Sequence, residues 1–147
     1  MSRKGWIISA VVGLLIAIGI GSTFVFSSGK GEVMELSPLE MKKFMSEDGT
    51  GFVMLNNDKK TREDVLFNVK KLAQQNKIIV KELFGGREDV PRSSNPFDFG
   101  LSQRRDSLAY YEKGKLKKDI SFTKIKPSEF EKEVGFFIKS SKEQYQK

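Results

Sequence analysis

No cysteine and no histidine occur anywhere in this 147-residue chain. The missing thiol excludes disulfides, thiolate nucleophiles, dithiol redox couples and Cys-ligated metal centres. The missing imidazole excludes a Ser-His-Asp triad and His-ligated zinc. Chemistry is left to carboxylates, lysine, tyrosine and hydroxyls, with oxygen-ligated Ca²⁺ or Mg²⁺ as the simplest metal option. Acidic residues such as Glu88, Asp89 and Asp98 lack the regular spacing of a calcium loop. Neither a metal nor any other cofactor is therefore assigned.

What is present divides sharply. From Trp6 to Phe26 the chain reads WIISAVVGLLIAIGIGSTFVF, 21 residues without a charge. At about 1.5 Å per residue this run makes a helix of roughly 31 Å, the thickness of a bilayer's hydrocarbon core. Arg3 and Lys4 precede it, so the positive-inside rule leaves residues 1–5 in the cytoplasm and directs the rest outward. The run is longer than the apolar centre of a secretory signal, and no A-x-A-like site follows it. It reads as an uncleaved single-pass anchor in the cell membrane, the alternative being a cleaved signal peptide. The missing cysteine excludes a lipoprotein anchor. Within the run, Ser9, Gly13, Ala17 and Gly21 recur every fourth residue. Small side chains at that spacing allow another transmembrane helix to approach closely, although such residues are also common in membrane helices generally.

Residues 27–32, SSGKGE, are small and polar and read as a tether. Of the 26 basic residues, Arg3 and Lys4 stay with the anchor, leaving 24 against 19 acidic, net +5, on the outer part. Basic and acidic residues are interleaved there, and the domain is placed outside the membrane, so nucleic acid is not an expected partner. Residues 33–140 are long enough for one packed core, with 141–147 expected as a tail.

Strand and helix periods alternate along this domain. Val33–Leu36 reads as a strand, and Ser37-Pro38 opens a helix whose Met41, Phe44 and Met45 share a face. Gly49 and Gly51 bracket a stop, and Phe52–Leu55 after them reads as a short buried strand. Thr61 is the expected N-cap of a helix to about Gln75, which buries Val65, Leu66, Val69, Leu72 and Ala73. Lys77–Leu83 is the next strand, ended by Gly85-Gly86. Residues 87–106 form a long polar loop with room for one helical turn, and such loops are often functional. Ser107–Tyr111 and Leu116–Phe122 flank a hairpin turn at 112–115. Ser128 and Glu131 are spaced as a capping box for a last helix carrying Phe130, Val134, Phe137 and Ile138 on one face. Phe44, Phe67, Tyr110 and Tyr111 are expected in the core. The order predicts an α/β sandwich whose mixed sheet, parallel first and antiparallel last, is flanked by helices.

That order resembles the thioredoxin fold. The segment SLAYYEKGKLKKDISFTKIKPSEFEKEVGFFIK is similar to that family's terminal hairpin and helix, and Asn95–Leu101, NPFDFGL, to the segment before its penultimate strand. Aligning Val69–Ala73 with the family's helix stripe puts Lys59-Lys60-Thr61-Arg62 where the family has C-x-x-C. It puts Asp106 where the family has a cis-proline. The resemblance covers about 33–140 and implies a degenerate member whose reaction is lost, because neither Lys59 nor Arg62 attacks or resolves a disulfide. Fold and function separate readily, so a binding scaffold is what survives.

Lys59, Lys60 and Arg62 surround an expected helix start, where free N–H groups favour an anion. On the resembled fold Arg104 and Arg105 lie beside them, tempered by Asp58, Glu63, Asp64 and Asp106. These five cations are either an anion site or ordinary solvated charge. Phe97 and Phe99, two apart in a polar loop, either anchor a partner or tuck the loop onto the sheet. Three functions follow in order of preference. The first is a non-enzymatic, membrane-tethered accessory or scaffold protein binding an envelope protein, by resemblance one of the anchored bacterial thioredoxin-like proteins, some of which accompany secretion or bacteriocin export. The second is a module for anionic envelope polymer or lipid. The third is a hydrolase using carboxylates.

Overall fold

The computed structural model describes residues 31–146. The expected anchor, its stripe Ser9, Gly13, Ala17 and Gly21, and most of the tether lie outside them. Among the described residues no helix is long and apolar enough to cross a membrane.

The strands are β1 (Glu32–Leu36), β2 (Gly51–Asn56), β3 (Ile79–Phe84), β4 (Ser107–Glu112) and β5 (Lys115–Ser121), and the helices are α1 (Pro38–Glu47), α2 (Lys59–Asn76) and α3 (Phe130–Tyr145). The sheet order is β1-β3-β2-β4-β5. β3 pairs in parallel with both β1 and β2, whereas β4 runs antiparallel to β2 and β5. This is the α/β architecture with a mixed sheet that the pattern predicts.

Both faces of the sheet are covered, which explains why β2 and β4 read as unbroken apolar runs. Phe52, Met54, Leu108 and Tyr110 point to one side and pack with Val69, Leu72, Val134 and Ile138 of α2 and α3. Val53, Leu55, Ala109 and Tyr111 point to the other and pack with Met41 and Met45 of α1 and with Phe99 and Leu101 of the long loop. Tyr110 sits edge-on to Phe52 and stacks flat on Tyr145, each at 5.1 Å between ring centres. That stacking carries α3 through Tyr145, so the segment expected as a tail from 141 is helical and buries Ser141.

Local chemistry sets the ends of these elements. At α1, Ser37 and Glu40 form a reciprocal capping box, with bonds of 3.1 and 2.8 Å. α2 begins at Lys59, earlier than expected, because Asp58 and not Thr61 is the cap: its Oδ1 accepts from Lys60 N at 2.9 Å. The box expected from Ser128 and Glu131 is absent; Pro127–Glu129 is a 3₁₀ turn, and α3 starts after it without a side-chain cap. The β4–β5 hairpin turns on Lys113 and Gly114, both at positive φ, the conformation that matches strand twist in a two-residue turn. Phe67, expected in the core, is 71% exposed because α2 turns its position away from the sheet.

Candidate functional site

Adjacent parallel strands β2 and β3 leave the sheet toward opposite faces. β2 exits through Asn57 into α2, while β3 exits through Gly85 into the long loop that covers the α1 face. Such a divergence opens a crevice at the carboxyl ends of the strands, the usual place for a ligand in an open α/β sheet. Gly85 N donates to Asn56 O at 2.7 Å and holds the two exits together.

A cleft of about 240 Å³ lies at this crevice. Its apolar lining comes from Leu55, Leu83, Val90 and Phe99, and its polar lining includes Asn57, Asn95, Arg92 and Arg105. The wall formed by the loop is itself fixed. Asn95 and Asp98 make a capping box around the turn Pro96–Phe99, which buries Phe99 and leaves Phe97 75% exposed. Buried Gln103 donates through Nε2 to Val53 O, Ser107 O and Ser107 Oγ at 3.1 to 3.2 Å. Tyr111 Oη accepts from Ser102 N and Gln103 N. These bonds pin the loop just before Arg104, Arg105 and Asp106.

Asp106 closes one side. It adopts φ 55°, a left-handed conformation that aspartate tolerates better than most residues. Its Oδ1 accepts from Asn57 N at 2.8 Å and Asp58 N at 3.0 Å. The residue expected opposite the start of α2 thus touches the β2–α2 loop directly. Its carboxylate takes backbone donors that an external anion would otherwise use.

The five cations expected on one rim have different tasks. Arg62 points inward: Nε and Nη2 donate to Glu82 at 2.9 and 2.8 Å, Nη2 also reaches Glu35 at 2.9 Å, and the guanidinium lies 4.2 Å from the centre of the Phe84 ring. Glu82 is fully buried and also accepts from Asn56 Nδ2 at 2.7 Å. Arg87 extends the chain of charges to Glu35 and Asp89. Burial opposes the charge of Glu35, but hydrogen bonds from Arg87 and Arg62 outweigh it and hold the carboxyl below its ordinary value. The bond to Glu82 raises the Arg62 guanidinium. Arg104 pairs with Asp119 at 3.1 Å. Arg105 donates to Ser94 O at 3.3 Å and lines the cleft. Lys59 and Lys60 are exposed and, among the described residues, unpaired.

Sequence reasoning missed Glu82, Asn57 and Arg92. Glu82 had a signal: a carboxylate on the same strand face as Val80, inside a sheet covered on both sides, requires a cation. Asn57 and Arg92 had none, since only the meeting of two distant loops gives them a common cleft. A larger, shallow groove of about 1040 Å³ runs along α2, α3 and β5, but its three lysines and three carboxylates balance. Among the described residues no group of three acidic side chains is placed to hold a metal ion. Neither the protein-family models nor the curated protein sequences contain a match to this chain.

Proposed function

We propose that this protein is a redox-inactive, thioredoxin-like scaffold, tethered to the membrane by residues 6–26, whose outer domain binds a partner protein of the cell envelope. The observation that carries this reading is the bridge from Asp106 to the backbone of Asn57 and Asp58. It joins the two segments that the resemblance sets opposite each other, in a sheet of order β1-β3-β2-β4-β5 with α1 on one face and α2 and α3 on the other. With no cysteine at 59 or 62, that junction has lost the atoms of thiol exchange and keeps a cleft. The apolar run and its small-residue stripe provide a second contact surface within the membrane.

Cross-linking in intact membranes, mild detergent extraction and affinity capture of the full chain test this reading. One envelope protein recovered in stoichiometric amount, and lost when the loop 87–106 is replaced, is the expected result. A chain that remains uncross-linked and monomeric overturns it. The preference for a partner protein over an anionic polymer or lipid rests on the pairing of Arg62 and Arg104 with carboxylates of the domain itself. A broad anion-binding rim at the start of α2 would need those guanidiniums free.

A further inference from the structure

The cleft between the exits of β2 and β3 combines two features that select a ligand. Its base is closed by the buried Leu55, Leu83 and Phe99, and its lining includes two arginines, Arg92 and Arg105, with no carboxylate. Among the described residues Arg92 has no ion-pair partner, and Arg105 is held only by a carbonyl, Ser94 O. Every other arginine of the described domain is matched to a carboxylate: Arg62 to Glu82 and Glu35, Arg87 to Glu35 and Asp89, Arg104 to Asp119. The two unmatched arginines are the two that share the cleft. Resting on the scaffold reading above, we propose that this cleft receives an acidic side chain of the partner protein, an aspartate or glutamate presented on an extended segment, with Arg92 and Arg105 as its recognition residues.

Donor chemistry argues for a carboxylate. A volume of about 240 Å³ has room for an acidic side chain. A guanidinium presents a planar fork that matches a carboxylate with two parallel N–H bonds. Phosphate sites in α/β folds draw on backbone N–H groups at a helix start. Here Asn57 N and Asp58 N already bind Asp106, and Lys60 N binds Asp58, so those donors are filled and two carboxylates stand beside them. A dianion would meet about twice the repulsion from that charge that a single carboxylate meets, and the single carboxylate matches the arginine fork. Phe97, exposed on the turn whose Asn95, Pro96 and Phe99 line the cleft, offers apolar contact to the residues flanking the acid.

The test uses the full chain in nanodiscs of neutral phosphatidylcholine and a capped, fluorescein-labelled hexaglutamate peptide, read by polarisation. Hexaglutamine is the control peptide. Glutamate should bind at least about tenfold more tightly than glutamine, and Arg92→Gln with Arg105→Gln should weaken it at least about tenfold. Lys59→Gln with Lys60→Gln, which removes the same charge outside the cleft, should leave binding within about twofold. Equal losses in the two double variants mean general attraction to a basic domain and overturn the proposal, as does the absence of glutamate binding. Glycerol phosphate displacing the peptide at concentrations where acetate and glutamate do not overturns it in favour of a phosphate ligand. Near-UV circular dichroism of the buried tyrosines verifies that each variant is folded. Cross-linked capture separates this proposal from the scaffold reading. A partner captured equally by wild type and the Arg92/Arg105 variant removes the cleft and leaves the scaffold; peptide binding without any captured partner leaves the cleft and removes the scaffold.

Discussion

Replacing Arg62 with methionine isolates the energetics at the start of α2. Methionine keeps much of the apolar stem and removes the guanidinium that lies over Phe84, leaving Glu82 fully buried with one remaining donor, Asn56 Nδ2. The orphaned carboxylate carries the penalty, about 3 to 5 kcal/mol when one partner of a buried ion pair is removed. Loss of the contacts to Glu35 and to the Phe84 ring adds about 1 kcal/mol. Arg62→Met should therefore destabilise by about 4 to 6 kcal/mol at pH 7. At about 4 °C per kcal/mol, the thermal midpoint falls by about 16 to 24 °C. Thermal and urea unfolding of the full chain, followed by near-UV circular dichroism, measures the loss. Adding Glu82→Gln to Arg62→Met removes the unpaired charge, leaves a neutral acceptor for Asn56 and should recover about half of the loss or more. A loss below about 1 kcal/mol for Arg62→Met, or no recovery in the double variant, contradicts an orphaned charge at Glu82.

Asp106→Ala removes the acceptor of two backbone N–H groups and leaves alanine at φ 55°, an expected loss of about 2 to 3 kcal/mol; Asp106→Gly tolerates that φ and should lose about 1 kcal/mol less, and equal losses would show that conformation plays no part. Gly31→Ala places a Cβ on the Ala73 carbonyl where the chain entering β1 crosses α2, so a loss of about 2 kcal/mol or more is expected by urea unfolding, and a neutral effect would place the crossing elsewhere. Burial lowers the Lys81 ammonium, whose Nζ lies 4.5 Å from the centre of the Phe44 ring. The unfolded chain then binds more protons at Lys81 as pH approaches 10.5, so this residue's contribution to stability rises there, against the falling contribution of Tyr110 and Tyr111, whose phenols burial raises. Lys81→Met should therefore lose stability more steeply than wild type toward that pH in urea unfolding, and a parallel profile would remove Lys81 from it. Glu35 has the same sign in a different window: its folded carboxyl lies below the unfolded value of 4.5, so its contribution is present above that pH and is lost as pH falls through the lower folded value. Glu35→Gln should make the acid limb of the stability profile shallower, and an unchanged limb would remove Glu35 from it.

The elements were legible because their signals are local. The FVML run reports burial by its unbroken apolar character, and the stripe Val65, Val69, Leu72 and Ala73 and the terminal stripe Phe130, Val134, Phe137 and Ile138 report it through their period, and each is buried. Boundaries were legible only where one cap stood without a rival. Ser37 and Glu40 had none, whereas Thr61 competed with Asp58 and lost, because Asp106 fixes the backbone of Asn57 and Asp58 from 48 residues away. Phe67 illustrates the limit of composition: hydrophobicity does not say which side of a helix faces the sheet when the neighbouring stripe is already complete.

Residue identity and spacing alone establish the absences and the alternation. A chain without thiol or imidazole excludes their chemistry whatever its fold, and the switching of periods between two and 3.6 defines an α/β sheet protein, because both follow from residue identity and spacing alone. Which charges are surface and which are structure depends on the packed fold. Arg62 and Arg105 look alike in sequence, yet one is held between Glu82 and Glu35 and the other lines a cleft without a carboxylate. Electrostatic roles depend on distances between residues far apart in the chain, and those distances exist only once β2 and β3 lie side by side and release their loops to opposite faces.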